Sequence, residues 1–118
     1  MPDPAPTLLL TRPQGASDRF LAALRAAGAI DRAIVSPLID VEFVPATRPI
    51  LPVSALILTS QNSAAAAARM GFPPGTRAWC VGDQTARAAR QGGLVPASAQ
   101  GDAEALVALI LHSGEGGP

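Results

Sequence analysis

Residues 55–63, ALILTSQNS, run four apolar side chains into Thr59, Ser60, Gln61, Asn62 and Ser63, and five alanines follow at once. Short hydroxyls and amides do two kinds of chemistry at such a place. They cap a helix by accepting from its first orphan backbone N–H groups. Together with those N–H groups and the positive end of the helix dipole, they can also hold an anion. The same change from apolar to polar recurs. LLLTRPQGAS brings Thr11, Arg12, Gln14 and Ser17, AWCVGDQTA brings Gly82, Asp83, Gln84 and Thr85, and PASAQGDAEA brings Ser98, Gln100 and Asp102. Gly82 lets a backbone approach closely. Such a donor set suits a ligand bearing several carboxylates or phosphates. Asp83 and Asp102 oppose an anion where they stand and read as caps. Capping and ligand binding both remain open at each position.

Other reactive residues carry less. Cys80 lies between Trp79 and Val81 in an apolar run with no histidine nearby in sequence. It reads as a buried, inert thiol, and Trp79 reads as core. His112, the single histidine, falls near the end of the chain and reads as a surface residue. No spacing of His, Cys and acids suggests a metal site, and neither GxGxxG nor GxxxxGK is present. Arg77, Arg87 and Arg90 lie on or beside one helix without interleaved aromatics, so a solvated face is expected rather than RNA binding.

The elements that must position these residues follow from patterning. TLLL (7–10), ALILTS (55–60), RAWCVG (77–82) and LVPASA (94–99) are short apolar runs bounded by turn residues, as buried strands are. AIVSPLI (33–39) is a further strand, with Pro37 marking an edge or a bulge. DVEFVP (40–45) alternates like a half-exposed strand. Helices are expected over 17–28, capped by Ser17 and stopped by Gly28, and over 62–70, stopped by Gly71. Two more are expected over 83–93 and 101–111. FPPGT (72–76) is a turn. The strand–helix alternation predicts an α/β fold of parallel sheets with flanking helices. Residues 7–45 form the first part of one domain, 46–54 a linker, and 55–111 three strand–helix units of a second domain. Residues 1–6 and 112–118 read as disordered tails.

The chain has 118 residues, 48% of them hydrophobic, enough for a real core. Nine cations, all arginine, balance nine acids, which argues against a nucleic acid or an acidic membrane as partner. One cysteine allows no internal disulfide, MPDPAPT lacks a basic n-region, and no apolar run is long enough to span a bilayer. The expectation is a soluble, cytoplasmic protein.

Taken in order across residues 7–111, LLLTRPQGASDRFLAALRAAG, SPLIDVE, ALILTSQNSAAAAA, CVGDQTARAARQGGL and GDAEALVALI resemble the N-terminal half of the uroporphyrinogen-III synthase family. The TRP opening, TSxN after the linker and VGxxTAxAxRxxG carry most of that resemblance. It implies two α/β domains joined by a short two-stranded linker, with the active site in the cleft between them. It implies hydroxymethylbilane as substrate, a linear tetrapyrrole with many acetate and propionate arms. The family closes this chain to uroporphyrinogen III with inversion of the last ring and loss of water, without a cofactor. An azafulvene cation and a spiro intermediate are the implied path, and catalysis comes mostly from holding the chain folded. The family holds the carboxylates by main-chain amides and small hydroxyls. On this chain the implied substrate-binding residues are Thr11, Arg12, Thr59, Ser60, Asn62, Gly82 and Thr85. Arg12 either pairs with a propionate or is structural. No catalytic residue is assigned, because the family's tyrosine proton donor lies in the later half and this chain has no tyrosine. The resemblance therefore implies a missing C-terminal half as a further partner. Two other readings stand beside it: a noncatalytic module that binds small anions, and a half-domain that folds only with a complementing chain.

Overall fold

The apolar runs become strands, and the alanine-rich and amphipathic stretches after them become helices. The computed structural model describes residues 6–29, 32–45, 47 and 52–114. The described strands and helices follow the order β1 (Leu8–Leu10), α1 (Gln14–Ala26), β2 (Ala33–Val35), β3 (Ala55–Leu58), α2 (Gln61–Met70), β4 (Arg77–Cys80), α3 (Asp83–Gln91), β5 (Val95–Ser98), α4 (Ala103–Ser113). All strand pairing is parallel, β1 with β2 in one sheet and β3-β4-β5 in another. The expected α/β class of parallel sheets and helices is what the chain adopts. The chain divides into two compact units, Met1–Glu42 and Phe43–Pro118.

In the first unit, α1 begins at Gln14, three residues before the expected start. Pro13 occupies the cap position and supplies the carbonyl that accepts the Ser17 N–H at 2.9 Å. Ser17 is therefore not the cap. It is fully buried in the second turn, and its hydroxyl donates to the Arg12 carbonyl at 2.9 Å. The strand expected over 33–39 ends at Val35, before Pro37, which has no N–H for a ladder. The strand expected over 40–45 does not form. Val44 is 73% exposed, and alternation without a neighbour to bond gives no ladder.

In the second unit, alternation along β4 sends Ala78 and Cys80 to one face and Trp79 to the other. The first face forms a core of Leu58, Ala64, Ala67, Ala78, Cys80, Ala86, Ala89 and Leu94. Five of these eight are alanine, so α2 and α3 lie close on the sheet and on each other. The methyl of Ala68 would stand 3.1 Å from a Cβ at Gly92. Full burial of Leu58 or Leu94 contributes roughly 1.5–3 kcal/mol each. Trp79 and Leu106 of α4 are buried, as expected for Trp79. Gly71 closes α2 in the left-handed region at φ 73°, as its position after Met70 predicts. α4 runs on through His112 and Ser113, which were expected in a tail. The expected linker 46–54 lies partly outside the described residues, and 47 and 52–54 have no regular structure. Residues 1–5 and 115–118 of the expected tails also lie outside them. No described helix is long and apolar enough to cross a membrane.

Candidate functional site

Parallel pairing of β3, β4 and β5 delivers their carboxyl ends to one edge, where ligands of open α/β sheets bind. The ladder runs past the strands into the turns. Val81 N–H donates to Leu58 O at 3.1 Å, Ala99 N–H to Cys80 O at 2.8 Å, and Gly101 N–H to Val81 O at 3.0 Å. Those bonds fix the three turns beside one another. Thr59, Ser60 and Asn62 thus share an edge with Gly82, Thr85 and Gln100.

The three helix N-termini on this edge differ. Ser60 and Ser63 form a reciprocal capping box: Ser63 N–H donates to Ser60 Oγ, and Ser60 N–H to Ser63 Oγ, both at 3.1 Å. At α4, Asp102 Oδ1 accepts the Ala105 N–H at 2.9 Å. At α3 the cap residue is Gly82, which has no side chain, so the N–H groups of Asp83, Gln84 and Thr85 find no side-chain acceptor among the described residues. The capping and ligand readings therefore separate by helix. α2 and α4 are capped from within, whereas the N-terminus and dipole of α3 are open.

Thr59 and Asn62 are exposed in the β3–α2 turn and the first turn of α2. Ser60 is exposed, and its hydroxyl hydrogen remains available while the oxygen caps α2. Thr85 is only 5% exposed, so it offers this edge its backbone N–H more than its hydroxyl. Two contacts not foreseen from sequence tie the edge together. Gln61 Nε2 donates to Gln84 Oε1 at 2.6 Å, joining the first turns of α2 and α3. Ser98 Oγ donates to Asp83 Oδ1 at 2.7 Å, joining β5 to α3. Asp83 is thus the first residue of α3 rather than its cap, and its charge opposes an anion there. Gln100 adopts φ 53°, a region costly for a residue other than glycine, with its N–H on Ser98 Oγ at 3.2 Å. Gln61 precedes one expected helix and Gln84 is the second residue of another, and no local pattern signals that they meet.

Thr11 and Arg12 belong to the other unit, in the β1–α1 turn. Thr11 O accepts the Leu38 N–H at 3.0 Å, and Leu10 O accepts the Ser36 N–H at 2.8 Å, so residues 36–38 lie against that turn. The Arg12 guanidinium is exposed, while its carbonyl holds Ser17. α1, like α3, has no side-chain cap, since Pro13 stands at the cap position. A cavity of about 460 Å³ opens here between Gln14, Pro37, Leu38, Ile39 and Asp40.

The remaining candidates are quiet. Cys80 is fully buried, and burial pushes its thiol pKa up, which disfavours the thiolate. His112 is exposed, with Nδ1 3.0 Å from Ala108 O. Arg77 lies over the Trp79 ring at 5.2 Å, and Arg87 and Arg90 are exposed. Among the described residues no group of three or more His, Cys, Asp and Glu could hold a metal ion.

Comparison with known proteins matches a family to the chain. The model described as Uroporphyrinogen-III synthase HemD matches residues 18–118, so it includes the whole β3-β4-β5 edge and begins after Thr11 and Arg12. No curated protein matches the chain.

Proposed function

We propose, because this chain belongs to the uroporphyrinogen-III synthase family, that it binds hydroxymethylbilane and takes part in closing it to uroporphyrinogen III with inversion of ring D. Membership gives it a uroporphyrinogen-III synthase-like role in tetrapyrrole biosynthesis. The observation that carries the finer reading is the unfilled N-terminus of α3 on an edge shared with Thr59, Ser60 and Asn62. The substrate's acetate and propionate arms are carboxylates, the ligands such a terminus holds.

The roles follow from the donors. Asp83, Gln84 and Thr85 present backbone N–H groups to one carboxylate, and Gly82 leaves the approach free of a side chain. Thr59 and Ser60 donate hydroxyl hydrogens, and Asn62 a carboxamide, to a neighbouring arm. In the first unit, Thr11 shapes the β1–α1 turn and Arg12 offers a fork for a propionate. None of these groups reacts. Fixing several arms at once restricts the linear chain toward the folded geometry that ring closure requires, and proximity of that kind can supply a large share of a barrier. Water leaves as the hydroxymethyl carbon becomes an electrophile, and this chain's share is to hold that carbon against the terminal ring.

The test is to incubate the purified chain with freshly made hydroxymethylbilane and separate the ring isomers. Formation of uroporphyrinogen III above the spontaneous background supports the proposal. Uroporphyrinogen I alone, at the rate seen without protein, overturns it for this chain.

A further inference from the structure

We propose that the cavity of the first unit takes one pyrrole ring of the tetrapyrrole, with the ring N–H turned toward the carboxylate of Asp40. The inference rests on the functional reading above and deepens it, since Asp40 and its neighbours lie outside the substrate residues assigned there.

The cavity of about 460 Å³ lies within the range of small-molecule sites and is ample for one five-membered ring with its two acid arms. It opens at the carboxyl edge of the β1-β2 sheet, where the backbone bonds from Ser36 and Leu38 hold one wall in place. That wall carries Leu38 and Ile39, 78% and 65% exposed, so two large apolar side chains lie open beside a cavity rather than in a core. They suit the flat apolar face of a ring. Asp40 uses Oδ1 to accept the Val41 N–H at 2.9 Å, and its other oxygen accepts nothing from the described residues. A carboxylate accepts hydrogen bonds and donates none.

Charge then fixes how the ring must sit. A substrate carrying many carboxylates is repelled by Asp40 if it presents an acid arm. It is attracted if it presents a pyrrole N–H, and more strongly if the ring becomes a cationic azafulvene. The acid arms sit on the carbons away from the ring nitrogen, so a ring with its N–H toward Asp40 carries its arms away from that charge. Asp40 is therefore a discriminating contact: it selects the nitrogen edge of a pyrrole against its carboxylate edge.

The test is titration of the ¹⁵N-labelled chain with uroporphyrinogen III kept reduced, following the backbone amides. Shifts are expected at Gln14 and 38–41 as well as at 59–62 and 82–85. Asp40→Asn keeps an oxygen for the Val41 N–H but removes the charge, and at high salt, where repulsion of the acid arms is screened, it weakens binding about fivefold, because a charged acceptor bonds roughly twice as strongly as a neutral one. Shifts at 59–62 and 82–85 with none at Gln14 and 38–41 overturn the ring site and leave the wider reading intact. Unchanged or tighter binding by Asp40→Asn also overturns it, tighter binding being the sign of an acid arm facing Asp40. No shift anywhere overturns both this inference and the reading beneath it.

Discussion

Replacing Gly82 by serine should make the chain more stable and bind its ligand less well. Gly82 caps α3 at φ −150° and ψ 177°, extended backbone that any residue adopts. A Cβ built there meets nothing within 4 Å, so the substitution brings no strain. The serine hydroxyl of Gly82→Ser reaches the third helical N–H, that of Thr85, in the way Ser60 reaches Ser63. The gain over glycine as a cap is a few tenths of a kcal/mol. Restricting the unfolded chain adds about 0.4–1 kcal/mol. The two together give about 0.5–1.5 kcal/mol, a rise in Tm of roughly 2–6 °C for a domain of this size. Binding responds in the opposite sense. One N–H of the three at α3 is taken, and a hydrogen bond to a charged group contributes about 1.5–3 kcal/mol, so the Kd for uroporphyrinogen III rises about tenfold or more. Circular dichroism melts measure the first effect and titration the second. A lower Tm refutes the claim that α3 lacks a cap it could use. A higher Tm with unchanged affinity refutes the claim that its open N-terminus serves a ligand.

Three further outcomes follow from particular contacts. Asp83→Asn removes the one carboxylate in the first turn of α3, and for two charges about 6 Å apart in water this tightens polycarboxylate binding by about threefold, read by titration at low salt. Ser17→Ala leaves the Arg12 carbonyl without its buried donor and lowers stability by about 1 kcal/mol, read as a lower urea midpoint at unchanged slope. Burial raises the Cys80 pKa in the folded chain, so the folded state holds the thiol proton more tightly than the unfolded state. The resulting stability is intact below the ordinary thiol range and declines as pH rises through it towards the folded value. Tm measured from pH 7 to 10 should fall across the upper half of that range, and Cys80→Ala should flatten the fall.

The fold was legible where one local signal decided each element. Gly71 after an alanine helix, Asp102 before an apolar one, and short β-rich runs between them need no distant partner to be understood. The misreadings share a different cause. Residues 40–45 alternate like a strand, but a strand exists only if another strand accepts its bonds, and none of the described strands does so. Ser17 looked like a cap because caps are serine. Pro13, four residues before the expected start of the helix, is the residue that begins it, and its fixed φ suits a helix start. The cavity at Gln14 and 37–40 was hidden for the same reason: Leu38 and Ile39 read as strand residues because they are apolar, and only tertiary pairing shows that they are left exposed. The Gln61–Gln84 and Ser98–Asp83 contacts depend on sheet register, which no local pattern encodes.

The richest polar stretch was also a misleading guide to where a ligand would bind most freely. TSQNS drew attention by its hydroxyls and amides, yet Ser60 and Ser63 spend much of theirs on each other and on their own helix. A side chain able to hold an anion through its hydroxyl is equally able to satisfy the helix it precedes, and the intramolecular partner is always present. An open terminus therefore arises where the cap residue has nothing to give. Glycine at 82 and proline at 13 are such residues, and both stand where a strand ends at a carboxyl edge. The two termini differ in charge as well as in cap. α3 begins with Asp83, already bonded to Ser98, whereas α1 has no acid in its first turn. An anion placed at α3 would meet three N–H groups and one nearby carboxylate, while at α1 the acid lies across the cavity, on Asp40. The places to look for carboxylate binding are those where the chain withholds a polar side chain and no acid stands in the way.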